Sequence, residues 1–214
     1  VVPDALDPFV KAMPLASMID FQQTGFDLAI QTIQHKKIAI DSMFKLEPIR
    51  QHALVIRGVT YAKKDQVVDE TANVILTADN ITLDGRFEVT KQIYLRDSFE
   101  IEEIKKLHKG DVFICFSSGS KRHVGKVAFI AKDTDYAAGG FMGILRTTDL
   151  NPRDFYEVCN SEVIQESIKD LSGGSNINNL SSVIGNIKIP IPPTEIQEKI
   201  VAECEKELFH LFYQ

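Results

Sequence analysis

What this 214-residue sequence lacks narrows its class before any motif is considered. No stretch approaches the roughly 18 consecutive apolar residues of a membrane-spanning helix, and no secretory signal pattern opens the chain. A membrane or exported protein is therefore not expected. Cysteine is scarce: Cys115, Cys159 and Cys204 are odd in number and far apart. That argues against a disulfide framework or a zinc site and suits reduced thiols. The five histidines, His35, His52, His108, His123 and His210, show no metal-ligand spacing. Positive charge is not in excess either, since 24 Lys and Arg against 30 Asp and Glu leave a net charge of −6.

The signatures of catalysis are also missing. There is no Gly-x-x-x-x-Gly-Lys-Ser/Thr phosphate loop, no His-Glu-x-x-His metal pair and no Gly-x-Ser-x-Gly elbow. A DNA adenine methyltransferase carries an Asn/Asp-Pro-Pro-Tyr/Phe tetrapeptide at the target base. The nearest string, Asn151-Pro152-Arg153-Asp154, lacks the second proline and the aromatic and reads instead as a helix start. The chain is expected to be no enzyme itself.

What is present is an ordinary globular composition, 44% apolar and 25% charged. The acidity is unevenly spread. Residues 50–150 carry 15 basic and 14 acidic groups, whereas residues 151–214 carry 5 and 10. A near-neutral middle binds DNA if its basic groups line one face, though weakly when alone.

Residues 1–47, punctuated by Pro3, Pro8 and Pro14, read as a leader, a linker or the tail of an upstream domain. A helix is expected over Phe26 to Ile40. The absence of an initial methionine suggests a fragment of something longer. From residue 48 to 191 one domain is expected. Short runs rich in Val, Ile, Phe and Tyr predict strands over 53–61, 73–77, 92–95, 112–116, 125–131 and 140–147. Turn chemistry separates several of them, as at Asp84-Gly85 and Lys109-Gly110-Asp111. Ser98 to His108 reads as a helix capped by Ser98. Asn151-Pro152 begins another, whose stripe of Phe155, Val158, Cys159, Val163, Ile164 and Ile168 runs to Gly173-Gly174. A last strand is expected over 183–191. Thr194 and Gln197 then fit a capping box opening a helix over 192–214. Val201, Cys204, Leu208 and Leu211 follow at coiled-coil spacing, the seam for a partner helix or a homodimer. The fold expected is α+β: a curved, mostly antiparallel sheet, flanking helices and a protruding C-terminal helix.

Four segments in order carry a resemblance. They are Leu76 to Gly85; Leu107 to Cys115 with Ser117-Ser118-Gly119-Ser120 and Gly125-Lys126-Val127-Ala128; Ala138-Gly139-Gly140-Phe141-Met142 leading to Leu145-Arg146; and Gly173 to Leu180 followed by Ile187 to Gln197. Over roughly residues 50–208 the chain resembles one target-recognition domain of a type I restriction-modification specificity subunit. The resemblance implies a reader of one half of a split DNA sequence. It also implies a helix that docks an adenine methyltransferase subunit or domain, and an assembly that recruits a restriction subunit. S-adenosylmethionine would belong to the methyltransferase partner or to an upstream domain, with no cofactor on this chain. A bacterial or archaeal cytoplasm follows from the same likeness. The chain departs from the family in having one recognition domain where two are usual. It is then either a half-length subunit that pairs through its helix or a piece of a larger protein.

DNA affinity is expected from phosphate contacts and specificity from base edges. The foremost loop is Ser117, Ser118, Ser120, Lys121, Arg122 and His123, where Arg122 suits guanine. Lys63 and Lys64 form a second basic loop. Ser175, Asn176, Asn178 and Asn179 either read adenine through an amide or shape the turn. Thr77 and Asn80 come last, and Arg146 reads as an internal partner for a carboxylate. The rival readings are a stand-alone DNA-binding module and a protein-interaction module using the C-terminal helix.

Overall fold

The computed structural model describes residues 40–120, 122–173 and 180–212. The chain separates into two compact units, residues 1–37 and 38–214, and all described residues belong to the second. The helix expected over residues 26–40 thus lies outside the described residues, apart from Ile40.

The described strands are β1 (Leu46–Pro48), β2 (Ala53–Arg57), β3 (Gln66–Val67), β4 (Asn73–Leu76), β5 (Ile93–Leu95), β6 (Val112–Cys115), β7 (Val127–Phe129), β8 (Tyr136–Ala138), β9 (Met142–Thr147) and β10 (Lys188–Pro190). The helices are α1 (Pro152–Asn160), α2 (Glu162–Gly173), α3 (Leu180–Val183) and α4 (Thr194–Phe212). The architecture is α+β and mostly antiparallel. The strands sort into two four-stranded sheets, β2-β9-β6-β7 and β3-β5-β4-β8, and a β1-β10 ribbon. Among the described strands only β4 and β8 pair in parallel, with one further parallel bridge between Val59 and Gly139.

Alternation along β6 explains the layering. Val112 and Ile114 face a core built with Phe155, Cys159, Ile164 and Ile168 of the helices. Phe113 and Cys115 face the second sheet, sharing a core with its Val74, Leu76 and Ala138. A strand covered on both faces must be apolar at every position, and Val-Phe-Ile-Cys is fully buried. The first sheet is therefore the middle layer, with helices on one side and the second sheet on the other.

Several expectations need correction. Residues 98–108 do not form a helix; only a 3₁₀ turn, Glu103–Lys105, is present. Lys106 bridges Ala137, and the Leu107 amide donates to the Tyr136 carbonyl, so the chain is drawn into pairing with β8. The stripe from Phe155 to Ile168 is divided between α1 and α2 by an extended Ser161, whose hydroxyl donates to the Val158 carbonyl. The strand expected over 183–191 is reduced to β10, because Ile184 and Ile187 bury themselves in a turn that accepts the Ile49 amide. β1, placed partly in the leader by sequence, pairs with β10, so the expected boundary at residue 47 falls inside a strand.

The Thr194–Gln197 capping box does not form. Gln197 is 3% exposed and reaches away from its own helix. Its Oε1 accepts from the Asn151 amide at 2.7 Å, and its Nε2 donates to the Pro192 carbonyl at 2.8 Å. Asn151 in turn caps α1 as expected, accepting from the Arg153 and Asp154 amides. The starts of α1 and α4 are thereby tied together.

Arg146 is the internal partner that its sequence context implied. Its Nε and one terminal nitrogen donate to the two oxygens of Asp111 at 2.7 and 2.8 Å, and the latter nitrogen also reaches the Lys106 carbonyl. Asp111, 1% exposed, also accepts the His108 amide. A second ionic tie roots the β1–β10 ribbon. The His52 ring donates to Glu47 at 2.8 Å and to Asp149 at 2.9 Å, which requires a proton on both nitrogens. Burial is the largest single influence on this ring and lowers its pKa. The bonds to Asp149 and Glu47 together outweigh burial and hold the pKa above its ordinary 6.5.

Arg146→Leu strands the buried Asp111 carboxylate and is expected to cost about 3 kcal/mol in urea denaturation. For His52 the folded state holds its proton more tightly than the unfolded state. Its stabilisation is complete below the unfolded value of 6.5 and is lost as pH rises through the higher folded value. Denaturation midpoints should fall as pH rises above about 6 in the wild type, and this part of the dependence should vanish in His52→Gln.

Candidate nucleic-acid interface

The two sheets are joined where β8 turns into β9. Beyond β2 the Gly58 amide donates to the Met142 carbonyl and the Val59 amide to the Ala138 carbonyl, while the Gly139 amide reaches the Leu76 carbonyl. A Cβ on Gly58 would lie 1.9 Å from the Gly139 oxygen, and one on Gly139 would lie 2.9 Å from the Leu76 oxygen. Only glycine permits backbones this close. On the other side the Phe116 and Ser117 amides both donate to the Phe141 carbonyl, at 2.9 and 3.1 Å. Three connections therefore converge: the one leaving β2, the one leaving β6, and the β8–β9 turn. Arg57, Phe116, Ser117, Gly140, Phe141 and Ser181 line a cleft of about 260 Å³ at this point.

A minority of the residues singled out by sequence lie at or near this crossing, and the rest are elsewhere or outside the described residues. Lys63 and Lys64 are exposed on a 3₁₀ turn, Lys63–Asp65. Lys63 is four residues beyond Val59, so it lies within about 14 Å of it. The turn is held from beneath by buried Asp65, which accepts the Ala62 amide and pairs with Arg96 at 3.0 Å. Ser117 lines the cleft, Ser118 accepts the Ser120 amide, and Ser120 is exposed. Arg122 is exposed but lines a different cleft, of about 330 Å³, beside Lys126 and Asp84. The two ends of the loop thus serve different surfaces. His123 is half-buried, its Nδ1 without a hydrogen-bond partner. Lys121, Ser175, Asn176, Asn178 and Asn179 lie outside the described residues. Ser181, which lines the first cleft, stands just after that polar stretch.

Thr77 and Asn80 are corrected to structural roles. Asn80 is 0% exposed; its Oδ1 accepts the Thr77 amide at 2.9 Å and its Nδ2 donates to the Glu88 carbonyl. A side chain so enclosed presents nothing to a duplex. The Thr77 hydroxyl oxygen is likewise buried. Of the helical seam, Val201 and Cys204 are half-buried, and Cys204 lines a third cleft with Phe129, Arg153 and Tyr156 of its own domain. The side chains of Leu208 and Leu211 are not described.

Sequence reasoning missed Arg57, Phe141 and Ser181. The signal for Phe141 was a large aromatic directly after two glycines, at the start of the strand expected over 140–147.

Two of the three cysteines are buried and unreactive. Burial pushes the Cys115 thiol up to about 11 and raises that of Cys159 further, so neither is a thiolate at neutral pH. Burial also lifts the Tyr156 hydroxyl to about 12; it donates to the Gly85 carbonyl. Lys126 is held inside, donating to the Ala78 and Ile81 carbonyls, and burial lowers its pKa. Among the described residues, no three His, Cys, Asp or Glu side chains cluster to hold a metal.

The scaffold is α+β, with polar and basic loops leading from its sheet junction. The chain belongs to the family described as type I restriction modification DNA specificity domain, whose profile matches residues 59–203. It is 34% identical over 163 residues to the type I restriction enzyme EcoKI specificity subunit of Escherichia coli (strain K12), covering 74% of this chain and 34% of that protein. It is also 34% identical over 161 residues to the StySPI specificity subunit of Salmonella potsdam, covering 73% and 34%. The chain therefore spans about a third of the length of these curated relatives. Its fold is similar to the HsdS subunit from Thermoanaerobacter tengcongensis, with a TM-score of 0.56 at 16% identity over 81% of this chain and 39% of that one. A chain from a structure of the type I R-M system gives 0.55 at 17% identity, covering 82% and 41%.

Gly58→Ala places a methyl group against the Gly139 carbonyl and should cost about 3 kcal/mol by forcing the backbones apart. An unchanged denaturation midpoint would contradict the crossing.

Proposed function

We propose that this chain reads one half of a split DNA target and directs an adenine methyltransferase to it. The observation that supports the reading is the exposed Lys63–Lys64 turn shortly beyond the Gly58–Gly139 crossing, whose cleft Ser117 lines, in a chain whose family is that of DNA specificity domains. Lys63 and Lys64 supply phosphate contacts that set register, and the surrounding loops read base edges. The methyltransferase, as a separate subunit or an upstream domain, holds S-adenosylmethionine and performs the chemistry. A restriction subunit completes the assembly, and the seam of α4 serves a partner helix, including that of a second copy. No described helix is long and apolar enough to cross a membrane. By the same proposal the chain acts on duplex DNA in the cytoplasm.

The test is selection from randomised duplex DNA, with and without the methyltransferase, at about 50 mM salt so that few phosphate contacts suffice. A short motif should be enriched, and sharpened by the partner. Lys63→Glu with Lys64→Glu should weaken binding to all sequences alike, reducing the salt slope by about 0.9 for each phosphate left without its lysine. Absence of enrichment in either condition, from a folded chain, would leave the helix-based interaction module as the better reading.

A further inference from the structure

Phe141 has no role in the core. It is 73% exposed, and among the described residues it is the one aromatic in the set of exposed large hydrophobic side chains. Its backbone, by contrast, is pinned. The Phe141 carbonyl accepts two amides from residues 116 and 117, and two residues earlier Gly139 is fixed against Leu76. Gly140 offers no side chain beside it, and a Cβ there would lie 3.2 Å from the Val59 carbonyl. The Phe141 backbone is thus fixed at the junction of the sheets while its ring stands exposed to solvent. Around it stand Arg57 and Ser117, with the Lys63–Lys64 turn a short distance along the chain.

An apolar ring on a fixed backbone, bordered by cations and hydroxyls, is complementary to duplex DNA. The cations match the phosphates, and the ring matches the only apolar surface that a duplex offers, the faces and edges of its bases. Aromatic and aliphatic wedges inserted at a base step unstack it partially and bend the helix axis. A protein partner would find little here besides one ring, since Gly139, Gly140 and Ser117 surround it with small or polar groups. We propose that Phe141 is a base-contacting wedge, inserting its ring at one step of the bound half-site while the neighbouring basic loops hold the backbone. The inference rests on the DNA-reading function proposed above and deepens it by naming a residue that contacts bases.

The experiment uses the full chain and the duplex recovered by selection, with 2-aminopurine substituted at successive positions. Wild-type protein should raise the fluorescence at one step or two adjacent positions, reporting unstacking there. Phe141→Ala should abolish that rise and weaken binding about tenfold, the effect of removing one aromatic ring from a base. Phe141→Trp, which keeps a stacking face, should retain the rise. Both variants change an exposed side chain, and their circular dichroism should match the wild type. Persistence of the rise in Phe141→Ala, whatever its affinity, would overturn the wedge; with Lys63→Glu/Lys64→Glu still weakening binding, DNA reading itself would stand. If no duplex is recovered and the charge reversal has no effect, DNA reading fails and the wedge with it.

Discussion

Everything displayed at the loop cluster depends on how closely the backbone of Gly58 passes that of Gly139. The chain leaves the second sheet at β8 and enters the first at β9, and the turn between them is where the sheets meet. Because neither glycine has a Cβ, the segment after β2 closes on this turn through direct amide–carbonyl bonds. The turn in turn accepts the amides at the end of β6. Three connections far apart in sequence are fixed relative to one another by backbone hydrogen bonds, which leaves their side chains available for recognition.

The polar residues that repeat in the family-like segments serve mostly inside the fold. Arg146 and Asp111 neutralise each other between β9 and the start of β6. Lys126 satisfies the carbonyls of the 78–81 turn, Asn80 closes that turn, and Gln197 fastens α4 to α1. Buried polar groups are costly unless fully paired, so each pairing selects one arrangement of the layers over its competitors. The net charge of −6 is for the same reason a poor guide to the interface. Arg96 is paired with Asp65 and Arg146 with Asp111, whereas Lys63 and Lys64 are exposed on their turn.

Legibility followed the range of the interactions. The β-like runs at 53–57, 73–76, 93–95, 112–115, 127–129 and 142–147 are visible in the sequence because strand periodicity and turn residues are local signals. The Asn151-Pro152 cap is legible for the same reason. Several of the failures involve partners distant in sequence. Residues 98–108 have helical composition but are claimed by β8, about thirty residues later. Gln197 looks like a local cap and is instead bonded to Asn151. Strands β1, β3 and β8 were not expected from sequence, and each pairs with an edge offered by a segment distant in the chain. Asn80, a candidate for DNA contact by sequence, is enclosed, since burial is a property of the packed layers and not of the tetrapeptide around it.

Local propensity, spacing and the order of short motifs were enough to define the class of the domain, its main strands and helices, and the basic and polar loops through which it would act. They could not say which loops meet, that Arg122 and Ser117 face different clefts, or that Phe141 stands outward on a pinned backbone. Those outcomes belong to the packed fold. They arise from contacts between segments tens of residues apart, closed by two glycines whose significance appears only when their backbones are brought together.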